Sequence, residues 1–459
     1  MPVNSFENYP MSWRPVIDRR SRSLYRELAR CLEADIACGA LKPGTRLPPQ
    51  RELADYLDIN VSTVSKAFRL CELKGLLSAT VGSGTFVAYD VMISGRMLSE
   101  SAARLIDMGP TVPEPSGNIF LRRMLGEITG DEHLGDLFSY PKPETTAWQS
   151  EAAAQLLAQC GCHTTPQQVL TACGGQNAIT AVLAAVFRRG DRIAVDDHTY
   201  PGIKTAAAMF GLQLVPVPAD GDGMSPSALA QVCRSESIRG VYLIPACHNP
   251  TTVTMPPRRR QEIGAVIRQN GCLLLEDGTY QLMHRGMQSV SALVPERSIY
   301  LVTLSKVIAP GLRIAYLAVP ETYRTAVSDA LYSMNVAVVP LMAELAARII
   351  ASGQFESVME QHRLQTIRRN RIVEHWLGRE RCHGREEDIL RWLTLPDGLT
   401  GEMLTRQALE RGVSVFPAEK FAVGRTRPAC AVRLSVCAPP DMAQLEQGVR
   451  ILAEIIAAY

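Results

Sequence analysis

Lys306 is the residue of this chain best placed to do covalent chemistry. It closes the run Thr303-Leu304-Ser305-Lys306, directly after an apolar stretch, Ile299 to Val302, that reads as a strand. Hydroxyls at Thr303 and Ser305 flank it, and Arg313 follows seven residues on. A nearby cation lowers a lysine pKa, and the uncharged amine attacks an aldehyde to form a Schiff base. The same hydroxyls and guanidinium suit a phosphate. Four further groups stand in the same relation to strand-like runs. Asp277 and Tyr280 follow Cys272 to Leu275, Asn249 (before Pro250) follows Gly240 to Ile244, and Tyr200 follows Arg192 to Val195. Gly174-Gly175-Gln176 opens a helical pattern that runs to Phe187, so its backbone N–H groups can face an anion. Each feature has a plainer reading: a surface lysine, an acidic turn former, an Asn-Pro turn, a glycine pair. Their common position argues against that, because all lie on one side of successive strands, where α/β proteins bind ligands.

Pyridoxal 5'-phosphate (PLP) needs this set: a lysine, a carboxylate at the pyridine nitrogen, donors to the ring oxygen, a phosphate cradle and an aromatic cover. The segments ACGGQ, HTYPG, HNPT, EDGTY, TLSKVIAPGLRIAYL and VRLS together resemble the fold-type I aminotransferase superfamily over roughly residues 105–459. The resemblance implies that Lys306 forms the internal aldimine and that Asp277 pairs with the pyridine nitrogen. It implies that Asn249 and Tyr280 bond the ring hydroxyl and that Tyr200 stacks on the ring. Gly174, Gly175, Gln176, Thr303, Ser305 and Arg313 would cradle the phosphate. Arg433 would clamp an effector α-carboxylate, and Tyr140 would reach a neighbouring subunit's phosphate. Three departures bear on the substrate side: Gly278 where a polar residue is common, Ala315 where glycine is, and PKPETTAWQSEAA after Tyr140.

A second zone precedes this one. From Ser23 to Cys38, Leu24, Leu28, Leu32 and Ile36 form one helical stripe that Gly39 ends. A Pro- and Gly-rich turn, 41–48, leads to a short helix, Pro49 to Leu57. Asn60 then caps a helix running to Lys74, with Val64, Ala67, Phe68 and Cys71 facing inward. Ser62, Ser65, Lys66 and Arg69 share the opposite face, which suits a major groove. Leu77 to Val87 reads as a hairpin tipped by Gly82-Ser83-Gly84. A polar face alone would suit any small helical domain. The complete order, with GALKPGTRLPPQRELADYL, VSTVSKAF and GSGTFV, resembles the GntR-type winged helix-turn-helix. By that resemblance Arg46 and Arg51 hold phosphates or reach bases, Ser62, Thr63 and Lys66 enter the groove, and Gly82 lets the wing approach the backbone.

The chain thus divides into an irregular arm (1–21), a winged helix-turn-helix (22–88, mostly α with a β-wing), a linker (89–104) and a large α/β domain (105–459) with a mainly parallel sheet. A flexible 16-residue linker would span roughly 20–24 Å. A GntR-like reader joined to an aminotransferase-like domain resembles the MocR family of regulators. That implies a head-to-tail homodimer, a double-stranded DNA operator, and an amine, amino acid or B6 vitamer as effector. The competing reading is a working aminotransferase with an accessory DNA-binding domain.

Composition fits these readings. The net charge is only +2, with 12 Lys or Arg against 9 Asp or Glu between positions 11 and 90, so any nucleic-acid attraction is local. The 12 cysteines form no CxxC pair, and Cys160 with Cys162 reads as ordinary thiols, so no metal site is expected. No stretch of about 20 apolar residues and no signal-peptide pattern occurs, which makes the cytoplasm the default reading and a membrane partner unexpected.

Overall fold

A computed structural model describes residues 11–21, 23–37, 40–41, 45–73, 76–80, 84–87, 105–114, 118–140, 143–284 and 286–459. Two compact units emerge, Met1–Leu105 and Ile106–Tyr459. Among the described residues no helix is long and apolar enough to cross a membrane.

In the first unit, helices Leu24–Ala37, Gln50–Leu57 and Val61–Leu73 precede an antiparallel hairpin, β1 (Leu77–Thr80) and β2 (Gly84–Val87). The apolar stripe closes the core: Leu28, Leu32, Ile36, Leu53, Val64, Ala67, Phe68 and Cys71 are all buried. Asn60 caps the third helix, its Oδ1 accepting from the Ser62 N–H at 2.8 Å. The described part of the arm is irregular, yet it belongs to the core. Trp13 is buried and donates its indole N–H to Asp35 at 2.8 Å.

The second unit is built on a seven-stranded sheet. Its strands are β4 (Val169–Ala172), β5 (Arg192–Asp196), β6 (Gln213–Val217), β9 (Ile238–Leu243), β10 (Leu273–Asp277), β11 (Ser298–Thr303) and β12 (Ala315–Ala318). The spatial order is β4-β12-β11-β10-β9-β5-β6. Only β12 runs against its neighbours. Both faces are covered, so the central strands read as continuous apolar runs. Leu273 and Leu275 enter one hydrophobic core and Leu274 another, as strand alternation requires. Ile299 and Leu301 likewise separate from Tyr300 and Val302.

Two short pairs accompany the large sheet: β3 (Ile106–Asp107) with β15 (Val413–Ser414), and β7 (Ala219–Asp220) with β8 (Gly223–Met224). A smaller antiparallel sheet takes β13 (Cys382–His383), β14 (Leu390–Thr394), β17 (Ala431–Ser435) and β16 (Phe416–Pro417), in that order. The sequence reading placed only the strand of Arg433 here, since two-residue strands leave no periodic signal.

The parallel strands all end at one edge of the large sheet. Because β12 is reversed, its amino end, just after Arg313, comes to the same edge. That topology gathers Gly174, Tyr200, Asn249, Asp277, Lys306 and Arg313 into one region.

Candidate functional site

In the first unit, Ser62, Lys66 and Arg69 are exposed along the third helix, with Thr63 half-buried. Ser65 is half-buried and bonds to Gln50 Oε1 at 2.5 Å, tying the two helix-turn-helix elements together. Arg51 is exposed on the second helix. Arg46 bridges to Phe86 through its backbone, and its guanidinium lies against Gly84, whose added Cβ would fall 3.0 Å from Arg46 Nε. The described residues expected to contact DNA thus lie on the third helix, on the second helix and, for Arg46, on the segment before it that bridges to β2. Gly82 falls outside the described residues.

In the second unit, Lys306 sits on a single turn after β11. Thr303 caps that turn, accepting from the Ser305 N–H at 3.2 Å and donating to the Ile314 carbonyl at 2.9 Å. Its hydroxyl is therefore committed to the turn, and Ser305 Oγ lies 3.0 Å from it. Lys306 Nζ donates to the Thr111 carbonyl at 2.6 Å. Burial, then Arg433 and Arg313, push its pKa down to about 8, against the pull of Asp277. The uncharged amine that nucleophilic attack needs is thus far more populated near neutrality than in a free lysine, although the ammonium still predominates there.

Asp277 ends β10, fully inside. It accepts from Tyr242 Oη at 2.8 Å and from the Thr279 N–H at 3.0 Å and hydroxyl at 2.5 Å. Burial raises its pKa despite these bonds. Its ionised form gains from a cation, and a protonated pyridine nitrogen supplies one. Gly174 has φ +88°, and a Cβ there would fall 2.6 Å from Arg313 Nη2. Only glycine permits that approach, which leaves backbone N–H groups and an exposed guanidinium around one spot. Gln176 bonds the Gly202 carbonyl at 2.9 Å while its Oε1 has no partner among the described residues. Gly175 begins the helix Gly175–Val186, and Tyr200 precedes the helix Pro201–Phe210. These residues fit PLP: a buried acid, a buried amine of lowered pKa, and an anion cradle that a side chain would fill.

Arg433 departs from a simple open clamp. Its Nη1 donates to Asn249 Oδ1 at 2.7 Å, its Nη2 donates to the Gly109 carbonyl, and its Nε has no partner among the described residues. Phe416 and Phe421 lie with ring centroids 5.0 Å from it, and burial pushes its pKa down to about 10. The segment 109–111 therefore touches both Arg433 and Lys306. The sequence reading missed Gly109, Thr111 and Phe416, which sit in stretches without motif or period. It also missed three supports. His284 Nε2 meets Asp388 Oδ1 at 2.8 Å, and Cys247 joins them, all buried. They join the turns bearing Asn249 and Tyr280 to the small lobe, the part of the second unit that carries the smaller antiparallel sheet. Gly278 has a steric reason, since a Cβ would fall 2.0 Å from Tyr300 Oη. Ala315 is an ordinary buried strand residue. Tyr140 is highly exposed, at 81%.

Comparison with known proteins matches residues 24–87 to the bacterial regulatory proteins of the gntR family and residues 128–452 to aminotransferase class I and II. The chain is 47% identical to the uncharacterized HTH-type transcriptional regulator YdeF of Bacillus subtilis, over 99% of both chains. The chain belongs to this family of HTH-type transcriptional regulators. The regulator is also 25% identical to the HTH-type pyridoxine biosynthesis transcriptional regulator PdxR of Corynebacterium glutamicum, over 78% of this chain and 79% of PdxR. An archaeal alanine:glyoxylate aminotransferase superposes with a TM-score of 0.74 at 22% identity, covering 80% of this chain and 95% of that one. That likeness confirms the fold-type I architecture of the second unit. The gntR match assigns DNA binding to the first.

Proposed function

We propose that this regulator senses an amine, amino acid or B6 vitamer through PLP held at Lys306, and that occupancy changes how the GntR-type reader engages a double-stranded operator. The observation that carries the reading is the meeting of Lys306, Asp277 and the Gly174–Arg313 cradle at one sheet edge, in a chain headed by a DNA reader. Bound PLP supplies an electrophilic carbon that primary amines attack.

The chain's own residues do the rest. Asp277 would hold the ring nitrogen protonated. Asn249 and Tyr280 would bond the ring oxygen, and Tyr200 would cover the ring. Gly174, Gly175, Gln176, Ser305 and Arg313 would hold the phosphate, with Thr303 bracing the turn that presents Ser305. Arg433 exchanges the Gly109 carbonyl for an effector carboxylate, a stronger, charge-assisted partner. Engagement of Lys306 likewise releases the Thr111 carbonyl. Both carbonyls belong to the first stretch of the second unit, directly after the linker at 89–104. An effector that takes over these contacts therefore acts on the segment that leads to the reader. The domain boundaries follow the arm (1–21), reader, linker and effector domain given above. Exposed Ile119, Phe138, Tyr140 and Tyr332 suit a head-to-tail homodimer in which Tyr140 reaches the partner's phosphate. Such a MocR-type regulator works in the cytoplasm.

The test is a titration of the PLP-loaded protein with amino acids, amines and B6 vitamers, following the cofactor band and keto acid together. A persistent band shift without keto acid supports the sensor. Sustained keto-acid release favours the transaminase reading. That alternative draws support from 29% identity to the 2-aminoadipate transaminase of Thermus thermophilus over 56% of this chain and 67% of that one.

A further inference from the structure

We infer that the cavity beside Lys306 is built for an amine effector carrying a second cationic group, such as a diamine or a dibasic amino acid. The inference rests on reading Lys306 as the sensing residue and adds the chemical class of what it senses. The cavity holds about 470 Å³ and runs from Lys306 and Val307 to the helix Phe355–Leu377. That volume takes a small aliphatic ligand with room for water.

Two independent features set the charge of the occupant. Four carboxylates, Glu114, Glu356, Glu360 and Glu387, line the cavity with the cations Lys306 and Arg363, and Glu114 is matched by the buried Arg369 at 3.1 Å. Arg363 is engaged by Glu360 through bonds of 2.7 and 2.8 Å, and Lys306 is the reacting amine. Glu387 sits half-buried in the lining. The second feature is His362, buried in the cavity wall at 7% exposure, whose Nε2 has no hydrogen-bond partner among the described residues. Its ring bonds to the Val307 backbone, and burial lowers its pKa and favours the neutral form. With one nitrogen donating, Nε2 is left as a lone-pair acceptor. A buried acceptor without a donor is costly, and an ammonium N–H supplies the donor that a hydrocarbon chain cannot. A distal carboxylate would instead meet this acceptor and the acidic lining.

The test compares ligand pairs that differ only in the distal charge. The PLP-loaded protein is titrated with 1,5-diaminopentane against pentylamine, and with L-lysine against L-norleucine, following the cofactor band. The distal ammonium should lower the half-saturating concentration about tenfold in each pair, the scale of one charge-assisted hydrogen bond. Glu387→Gln and His362→Leu should each remove most of that advantage while leaving pentylamine and norleucine unchanged. Glu387 lies at a loop, so its variant tests the idea even if the His362 variant misfolds. Calorimetry on the cofactor-free protein gives a second readout, with heat from 1,5-diaminopentane and none from pentylamine. Equal shifts within each pair, or equal losses for all four ligands in the variants, overturn the inference and leave the sensor reading standing. No band shift with any amine overturns both.

Discussion

Removing the Lys306 amine from the cofactor-free protein should change how stability depends on pH. In the folded chain the ammonium is buried, and its pKa falls from an ordinary 10.5 to about 8. Burial is the largest cause, Arg433 and Arg313 follow, and Asp277 opposes them. Between those two values the unfolded chain holds the proton that the folded chain releases. The buried ammonium therefore costs about 3 kcal/mol below the folded pKa, and the cost fades as pH rises toward the unfolded value. Lys306→Met keeps the apolar stem and removes the charge. It also removes the 2.6 Å bond to the Thr111 carbonyl. That loss is about 1 kcal/mol. Urea unfolding should find the variant more stable than the parent by about 2 kcal/mol near pH 7, with the gap closing by about pH 10. A gap that stays constant over that range would refute the assignment of a buried, destabilised ammonium at this position.

Three other outcomes follow from the geometry. Gly174→Ala places a methyl group against Arg313 at a positive φ, so PLP affinity should fall at least about tenfold in equilibrium dialysis while circular dichroism is unchanged. Parent-like affinity would mean the cradle lies elsewhere. Gly278→Ala drives a methyl group into Tyr300 and should cost about 1–3 kcal/mol in thermal unfolding; an unchanged Tm would mean the turn yields freely. Lys66→Ala on the exposed recognition face should weaken operator binding and, where the contact is to phosphate, reduce the salt slope by about one. An unchanged affinity would remove Lys66 from the interface.

Much of the geometry around Lys306 was legible in the sequence because the residues that gather there each sit at the end of an apolar strand. Asp277, Asn249 and Lys306 each follow an apolar run, and those runs are β10, β9 and β11. The winged helix was legible for a similar reason: Asn60, the inward stripe and the hairpin punctuate short, strongly patterned elements. What stayed hidden acts through backbone or through distant partners. Gly109 and Thr111 contribute carbonyls, which no side-chain pattern reveals. His284 and Asp388 are 104 positions apart and meet only after the small lobe folds against the large one. Thr303 kept its expected place but spends its hydroxyl on its own turn, a choice set by the Ile314 carbonyl on the neighbouring segment. Trp13 was hidden because an irregular arm carries no period, although its indole completes the reader's core.

Whether chemistry at Lys306 governs reading of DNA is tested by fluorescence anisotropy on an operator selected from random DNA, with and without an amine effector that shifts the cofactor band, for the parent and Lys306→Ala. Both proteins should bind the selected sequence over random DNA at moderate salt, and only the parent's affinity should change with effector. An equal response from Lys306→Ala, or no sequence preference in either protein, would contradict that control.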